Sequence, residues 1–235
     1  MEIASRRDEI AASLSAVRQR LARAIDRAGR FPSSVRLVAV SKTRPAGDVR
    51  AAFDAGQFEF GENRVQEALE KIAATSDIPI AWHLVGHLQS NKARRAAASF
   101  ACIHSIDSAE VLRRVDAAAA EAGRRPELLV QIDLAGEATK HGAPAETWLS
   151  LFEAAADCRA ARVTGLMLLP PFTPDPEDAR PYFRRLRELR DELEGRGAPP
   201  DMLRELSMGM SHDFEVAVEE GATLVRVGTA IFGER

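Results

Sequence analysis

Eight short runs rich in Val, Ile, Leu and Phe, at 35–41, 57–61, 79–85, 101–106, 127–134, 162–169, 204–209 and 223–228, alternate with stretches of helical periodicity. The helical stretches fall at 46–56, 63–74, 88–99, 108–122, 144–160, 176–195 and 212–221. One helix per strand, in regular order, argues for parallel strands joined by helical crossovers. Eight such units in 235 residues predict an α/β fold of the closed (β/α)8, or TIM, barrel type. An open doubly wound sheet is the competing arrangement. The strand count favours the barrel, and the turn after the first strand lacks a G-x-G-x-x-G dinucleotide fingerprint. An extra N-terminal helix is expected over 4–29, where Ile10, Leu14, Val17, Leu21 and Ile25 recur at helical spacing. No Gly/Ser linker or charge tract splits the chain, and the proline-rich piece at 170–176 reads as a rigid loop after strand six. Residues 1–235 therefore read as one domain.

Composition narrows the function. Hydrophobic residues make up 46% and charged residues 29%, enough for a substantial core. A net charge of −3 leaves no electrostatic footprint for nucleic acid. The basic pairs Arg94-Arg95 and Arg184-Arg185 are interleaved with acids on helix faces and read as solvated surface. Two cysteines, Cys102 and Cys158, stand far apart without C-x-x-C spacing, which fits a reducing, cytoplasmic setting. The first thirty residues are charged throughout, and no run approaches the ~20 apolar residues of a membrane span. Neither secretion nor a membrane partner is expected, and the protein is expected to be a monomer.

In a barrel of this kind the reactive residues stand where strands end. Strand one runs straight into Lys42, so its amine projects into a partly desolvated mouth, where a lowered pKa favours attack on a carbonyl. Near the C-terminus, Ser207-Met208-Gly209-Met210-Ser211 and Gly228-Thr229 form two small, hydroxyl- and glycine-rich turns. Small residues let backbone N–H groups approach an anion, so these turns suit a phosphate, and phosphate-binding barrels commonly use the loops after strands seven and eight. Alternation along strand eight puts Val225 and Val227 on one face and Arg226 with Gly228 on the other. With the valines against the helices, Arg226 points inward, to meet either a structural carboxylate or a ligand. An amine at one end and a phosphate cradle at the other suggest a phosphorylated aldehyde. Ser211 and Asp213 can also cap the last helix. A zinc site at His83 and His87 lacks the glutamate of a zincin, and no metal is expected.

Several motifs, in order and spacing, resemble the pyridoxal 5′-phosphate (PLP) homeostasis proteins over nearly the whole chain. They are the segments 37–43, 60–67 and 82–92, then Glu137 with Lys140 and Gly142, then 165–167, 206–211 and 225–233. The resemblance implies a single barrel like the N-terminal domain of alanine racemase, with PLP as cofactor held on Lys42 as a Schiff base. It implies that Ser207, Met208, Gly209, Ser211, Gly228 and Thr229 surround the phosphate, that Arg226 faces the pyridine nitrogen, and that Asn63 and His83 line the cofactor face. Arg64 departs from the pattern, since many relatives carry Tyr there. An always-charged arginine disfavours protonation of the ring nitrogen and so weakens carbanion chemistry. Alanine racemase takes its second base, a tyrosine, from an additional β domain absent from these 235 residues, and the single tyrosine, Tyr182, falls on a helix. The expected function is non-catalytic intracellular PLP homeostasis, with PLP-dependent apo-enzymes as partners. A PLP-dependent amino-acid racemase is the alternative, and a Schiff-base aldolase without PLP a third reading.

Overall fold

The computed structural model describes residues 5–134 and 142–234. Its strands are β1 (Arg36–Val40), β2 (Glu59–Glu62), β3 (Ala81–Leu84), β4 (Cys102–Ile106), β5 (Glu127–Ile132), β6 (Arg162–Leu168), β7 (Glu205–Ser207) and β8 (Leu224–Val227). Each pairs in parallel with the next, and β8 returns to β1 from Arg36↔Leu224 to Ala39↔Val227, closing the barrel. The helices are α1 (Arg6–Arg27), α2 (Ala46–Asp54), α3 (Val65–Ala74), α4 (Ala93–Ser99), α5 (Ala109–Glu121), α6 (Trp148–Ala156), α7 (Arg180–Gly195), α8 (Phe214–Glu219) and α9 (Thr229–Phe232).

Strand alternation divides the buried residues into two cores. Outward residues such as Ala39, Phe60, Leu84, Ile103, Val130, Leu166, Leu206 and Val227 pack under the helices. Inside the barrel, Val38, Cys102, Leu129, Met167 and Leu224 form a smaller cluster. At about 1.5–3 kcal/mol for each fully buried large apolar side chain, the helix–strand shell contributes most of the stability. The interior is instead rich in polar groups. At the N-terminal ends of the strands, Arg36 lies 3.2 Å from Glu205 and 3.6 Å from Glu59. Gly165 is required where β6 meets β7, because a Cβ there would stand 2.0 Å from the Glu205 carbonyl oxygen.

Helix α1 starts with a capping box between Ser5 and Asp8 and buries Ile10, Leu14, Val17, Leu21, Ala24 and Ile25. It lies across α2, α8 and α9, behind the β8–β1 seam. Arg6 reaches Asp48 and the Phe232 carbonyl, each at 2.8 Å, and Arg20 stacks 4.7 Å over the Phe214 ring. The extra helix thus braces the elements that carry the two C-terminal turns.

Several boundaries differ from expectation. The helices expected to begin at 88, 144 and 176 open instead with 3₁₀ turns, Ser90–Lys92, Ala145–Thr147 and Pro176–Ala179. Proline suits the last of these because it lacks the N–H that a helix start leaves unpaired anyway. The expected strand 57–61 begins at Glu59, since the buried Gln57 side chain spends its amide on the Leu37 and Glu59 carbonyls. The helix expected over 212–221 shrinks to Phe214–Glu219 because Asp213 takes the N-cap position. The one-turn α9 was not expected at all.

Candidate functional site at the barrel mouth

The end of β1 is held by a buried ionic cluster. By alternation Lys42 falls on the inward Val38–Val40 face, and it is half-buried. Ser41 points the other way, and its hydroxyl donates to Glu62 Oε1 at 2.6 Å. Lys71 Nζ, from α3, donates to the Ser41 carbonyl, to Glu62 Oε1 and to Glu67 Oε1 at 2.7, 2.7 and 2.8 Å. Glu67 also accepts from the Thr43 backbone N–H. Among the described residues Thr43 alone has a positive φ, 64°, without being glycine. A strained backbone beside a candidate reactive residue has to be over-determined by its surroundings, and the Lys71 cluster does this. Burial pushes the Glu62 carboxyl upward despite Lys71, whereas hydrogen bonds outweigh burial at Glu67 and hold it below its ordinary range.

The second centre is the turn after β7. Gly209 has φ +90°, and a Cβ there would meet Ala217 Cβ at 2.6 Å and Phe214 Cα at 2.9 Å, so only glycine fits. The Asp213 carboxylate accepts from Met210 N–H at 2.6 Å and pins the turn. Ser211 Oγ accepts from Gly228 N–H at 3.1 Å and Ala230 N–H at 3.3 Å. Ser211, Gly228 and Thr229 therefore converge where α9 begins, with backbone donors turned toward one oxygen. Met208 points elsewhere: its side chain is buried in the shell, and its N–H donates to the Leu224 carbonyl.

Arg226 stands on the inner face of β8, and Val225 and Val227 lie in the shell. Its guanidinium donates to Ser207 Oγ and to the Leu168 carbonyl, 2.8 Å away. Both acceptors are neutral, and no carboxylate among the described residues forms an ion pair with it. A buried cation whose hydrogen-bond acceptors are all neutral is costly, and desolvation pulls Arg226 down to about 10 against the opposing pull of the Asp213 carboxylate. It is charged at neutral pH and ready for an acceptor or anion in the mouth.

Two of the expected site residues lie inside the closed barrel. Ser207 is wholly buried, and its hydroxyl is shared between Arg226 and His104 Nδ1, 2.8 Å away, so its side chain braces Arg226. His83 does not line an open face. It is 2% exposed, with Nδ1 2.9 Å from His104 Nε2 and Nε2 3.3 Å from Glu59 Oε2. Both side chains point into the closed barrel because their strands place them on the inner face. Asn63 follows β2 half-buried, and its carbonyl packs so closely on Gly86 that a Cβ there would come within 2.3 Å.

His104, Glu59, Glu62, Glu67 and Lys71 were not singled out as site residues by sequence reasoning. The period of two along β4, which sets His104 on the same face as Cys102, was the available signal for the first. His83, Cys102 and His104 bring ligand-type atoms within 4.8 Å of one another. The imidazoles, however, face each other at hydrogen-bond distance, and burial raises the Cys102 thiol, disfavouring the thiolate a metal needs. Arg64 is exposed, and Tyr182 lies half-buried on α7 against the shell. Glu137 and Lys140 lie outside the described residues. Among the described residues no helix is long and apolar enough to cross a membrane.

A parallel eight-stranded barrel with a lysine where the first strand ends, a serine- and glycine-rich turn after the seventh strand and an inward arginine on the eighth fits the alanine-racemase class of barrel. The family model "Alanine racemase, N-terminal domain" matches residues 12–235. A pyridoxal phosphate homeostasis protein from Aquifex aeolicus is 44% identical over 222 residues, covering 94% of this chain and 96% of that protein. A structure of PipY from Synechococcus elongatus with PLP bound superposes with a TM-score of 0.85 at 40% identity, covering 95% of this chain and all of that one (100%). An alanine racemase from Clostridium difficile shares the fold, with a TM-score of 0.73 at 14% identity, covering 94% of this chain and 57% of the racemase. The chain belongs to the pyridoxal phosphate homeostasis protein family.

Proposed function

We propose that this protein binds PLP covalently through Lys42 and holds it in reserve, exchanging it with PLP-dependent apo-enzymes, without turnover of its own. The donor set fits the cofactor at three points. Ser211 and the backbone N–H groups of Gly228 and Ala230 offer a cradle of phosphate size. Arg226 supplies N–H donors for an aromatic ring nitrogen, and Lys42 supplies the amine. PLP bound there supplies an aldehyde carbon for the lysine and a conjugated ring. The family relatives named for PLP homeostasis, and PipY with PLP bound, support the same reading.

Buried Arg226 carries the proposal. A carboxylate at this position would keep a ring nitrogen protonated and make the ring a strong electron sink, whereas a permanent cation opposes that protonation. Tyr182, the sole tyrosine, belongs to α7 and packs against the shell, away from the role of a second acid/base in the mouth. The racemase fold supports the alternative of an amino-acid racemase. Exchange of substrate α-hydrogen in deuterated water, screened across amino acids, separates the two. Absence of exchange is expected, and exchange with any amino acid at enzymatic rates overturns the non-catalytic reading. A monomeric state and cytoplasmic location accompany the proposal, and sedimentation of the purified protein checks the first.

A further inference from the structure

A line of polar side chains crosses the barrel interior from the mouth to its opposite end: the buried Arg226, Ser207, His104 and His83, then the half-buried Glu59. Its direction follows from the chemistry of the groups. A guanidinium only donates, so Ser207 Oγ accepts from Arg226. The hydroxyl is wholly buried, and its other partner is His104 Nδ1 at 2.8 Å. Leaving a buried O–H without an acceptor is costly, so its proton goes to His104 Nδ1. His104 must then carry its own proton on Nε2, which faces His83 Nδ1 at 2.9 Å. His83, accepting at Nδ1, in turn carries its proton on Nε2, which lies 3.3 Å from Glu59 Oε2 without meeting hydrogen-bond geometry; that oxygen also lies 3.6 Å from Arg36.

We propose that His104 and His83 are positioning residues that lock Arg226 in the mouth through this one-way chain, both held as neutral Nε2–H tautomers. Every proton in the chain points away from the mouth and toward Glu59. The chain therefore fixes where the Arg226 donors lie and has no proton to lend to a ring nitrogen above it. This rests on the proposed PLP site and deepens it: the arginine is kept a rigid donor, and the acid that a strong electron sink requires is absent behind it. Burial between Arg226 and His83 also holds His104 well below the ordinary histidine range, which agrees with a neutral ring.

Two arms test it. In the full-length, ligand-free protein with 15N-labelled histidine, NMR at neutral pH is expected to show His104 and His83 with protonated Nε2 and bare Nδ1. A protonated Nδ1 on His104, or an imidazolium at either position, overturns the proposal. The second arm compares His104→Asn, whose side-chain oxygen replaces Nδ1 as the acceptor, with His104→Leu, which offers none. His104→Leu is expected to weaken PLP binding about tenfold, the scale of one lost hydrogen bond at a buried group, and to shift the absorption of bound PLP. His104→Asn is expected to restore most of both. Unchanged affinity and spectrum in His104→Leu, or equal damage in the two folded variants, overturns it. Should His104→Leu fail to fold, the tautomers of the unmodified protein still decide. Borohydride trapping on Lys42 reports the cofactor site separately, so its failure would strike the PLP reading and leave the tautomer result to judge the chain.

Discussion

Lys71→Met removes the cation that compensates a buried carboxylate behind Lys42. Glu62 has no exposed surface and Lys71 is 7% exposed, so neither is much screened by water. Breaking a buried pair from one side costs about 3–5 kcal/mol. Glu62 keeps its bond from the Ser41 hydroxyl at 2.6 Å, which places the expected cost near the lower end, about 3 kcal/mol. For a chain of this size that corresponds to a fall in Tm of about 6–12 °C. Glu62→Gln should cost less, about 1–2 kcal/mol, because Lys71 still donates to the Ser41 carbonyl and to Glu67. The double variant leaves no buried uncompensated charge at Glu62, only the partly exposed Glu67 without its lysine, and should recover about 2 kcal/mol relative to the sum of the single changes. The pH dependence has a definite sign. Burial raises the Glu62 pKa in the folded state, and an acid with a raised folded pKa binds its proton more tightly when folded, so stability is gained as pH falls. Without Lys71 the carboxyl rises further, and the deficit of Lys71→Met should narrow between pH 7.5 and pH 5 as Glu62 takes up a proton. Thermal melts of the three variants at both pH values provide the assay. A Lys71→Met melt within about 2 °C of the unmodified protein at pH 7.5, or a deficit that does not change with pH, would refute the reasoning.

Other outcomes follow from the mouth. Gly209→Ala forces a Cβ into a left-handed backbone and against Ala217; a loss of about 2 kcal/mol or more is expected in chemical denaturation. Ser211→Ala removes the oxygen that gathers the Gly228 and Ala230 N–H groups. It should weaken PLP about tenfold while leaving pyridoxal, which lacks the phosphate, nearly unaffected, as measured by titration of both. Arg226→Met replaces a buried cation whose hydrogen-bond acceptors are neutral and whose nearest charge partner, Asp213, acts only through space. Melting of the ligand-free protein should change by less than about 1.5 kcal/mol or rise, while PLP affinity falls; a large loss of stability with affinity intact would contradict the assignment.

The barrel was legible because its period is local: each strand announces its own two faces, and eight such runs separated by helical stretches leave few alternatives. Arg226 was legible for the same reason, since Val225 and Val227 had to face the helices. Lys42 and Gly209 were marked by residue type at a strand end. The depth of Ser207 and His83 inside the barrel is not legible from strand-end position. What decides their partners is closure, which brings His104 of β4 to Ser207 of β7 and to His83 of β3, contacts no local window contains. The Lys71 cluster was hidden similarly, because a lysine in an amphipathic helix reads as surface until α3 docks it beneath Ser41 and Glu62. α9, four residues long, is too short for any periodicity to show.

The most direct test incubates the purified full-length protein with PLP, reduces it with borohydride and maps the adduct by peptide mass spectrometry, with Lys42→Ala in parallel. The account predicts a single dominant phosphopyridoxyl modification on the peptide containing Lys42, preceded by visible absorption that Lys42→Ala lacks. An adduct spread over surface lysines, or an equal yield from Lys42→Ala, would contradict it.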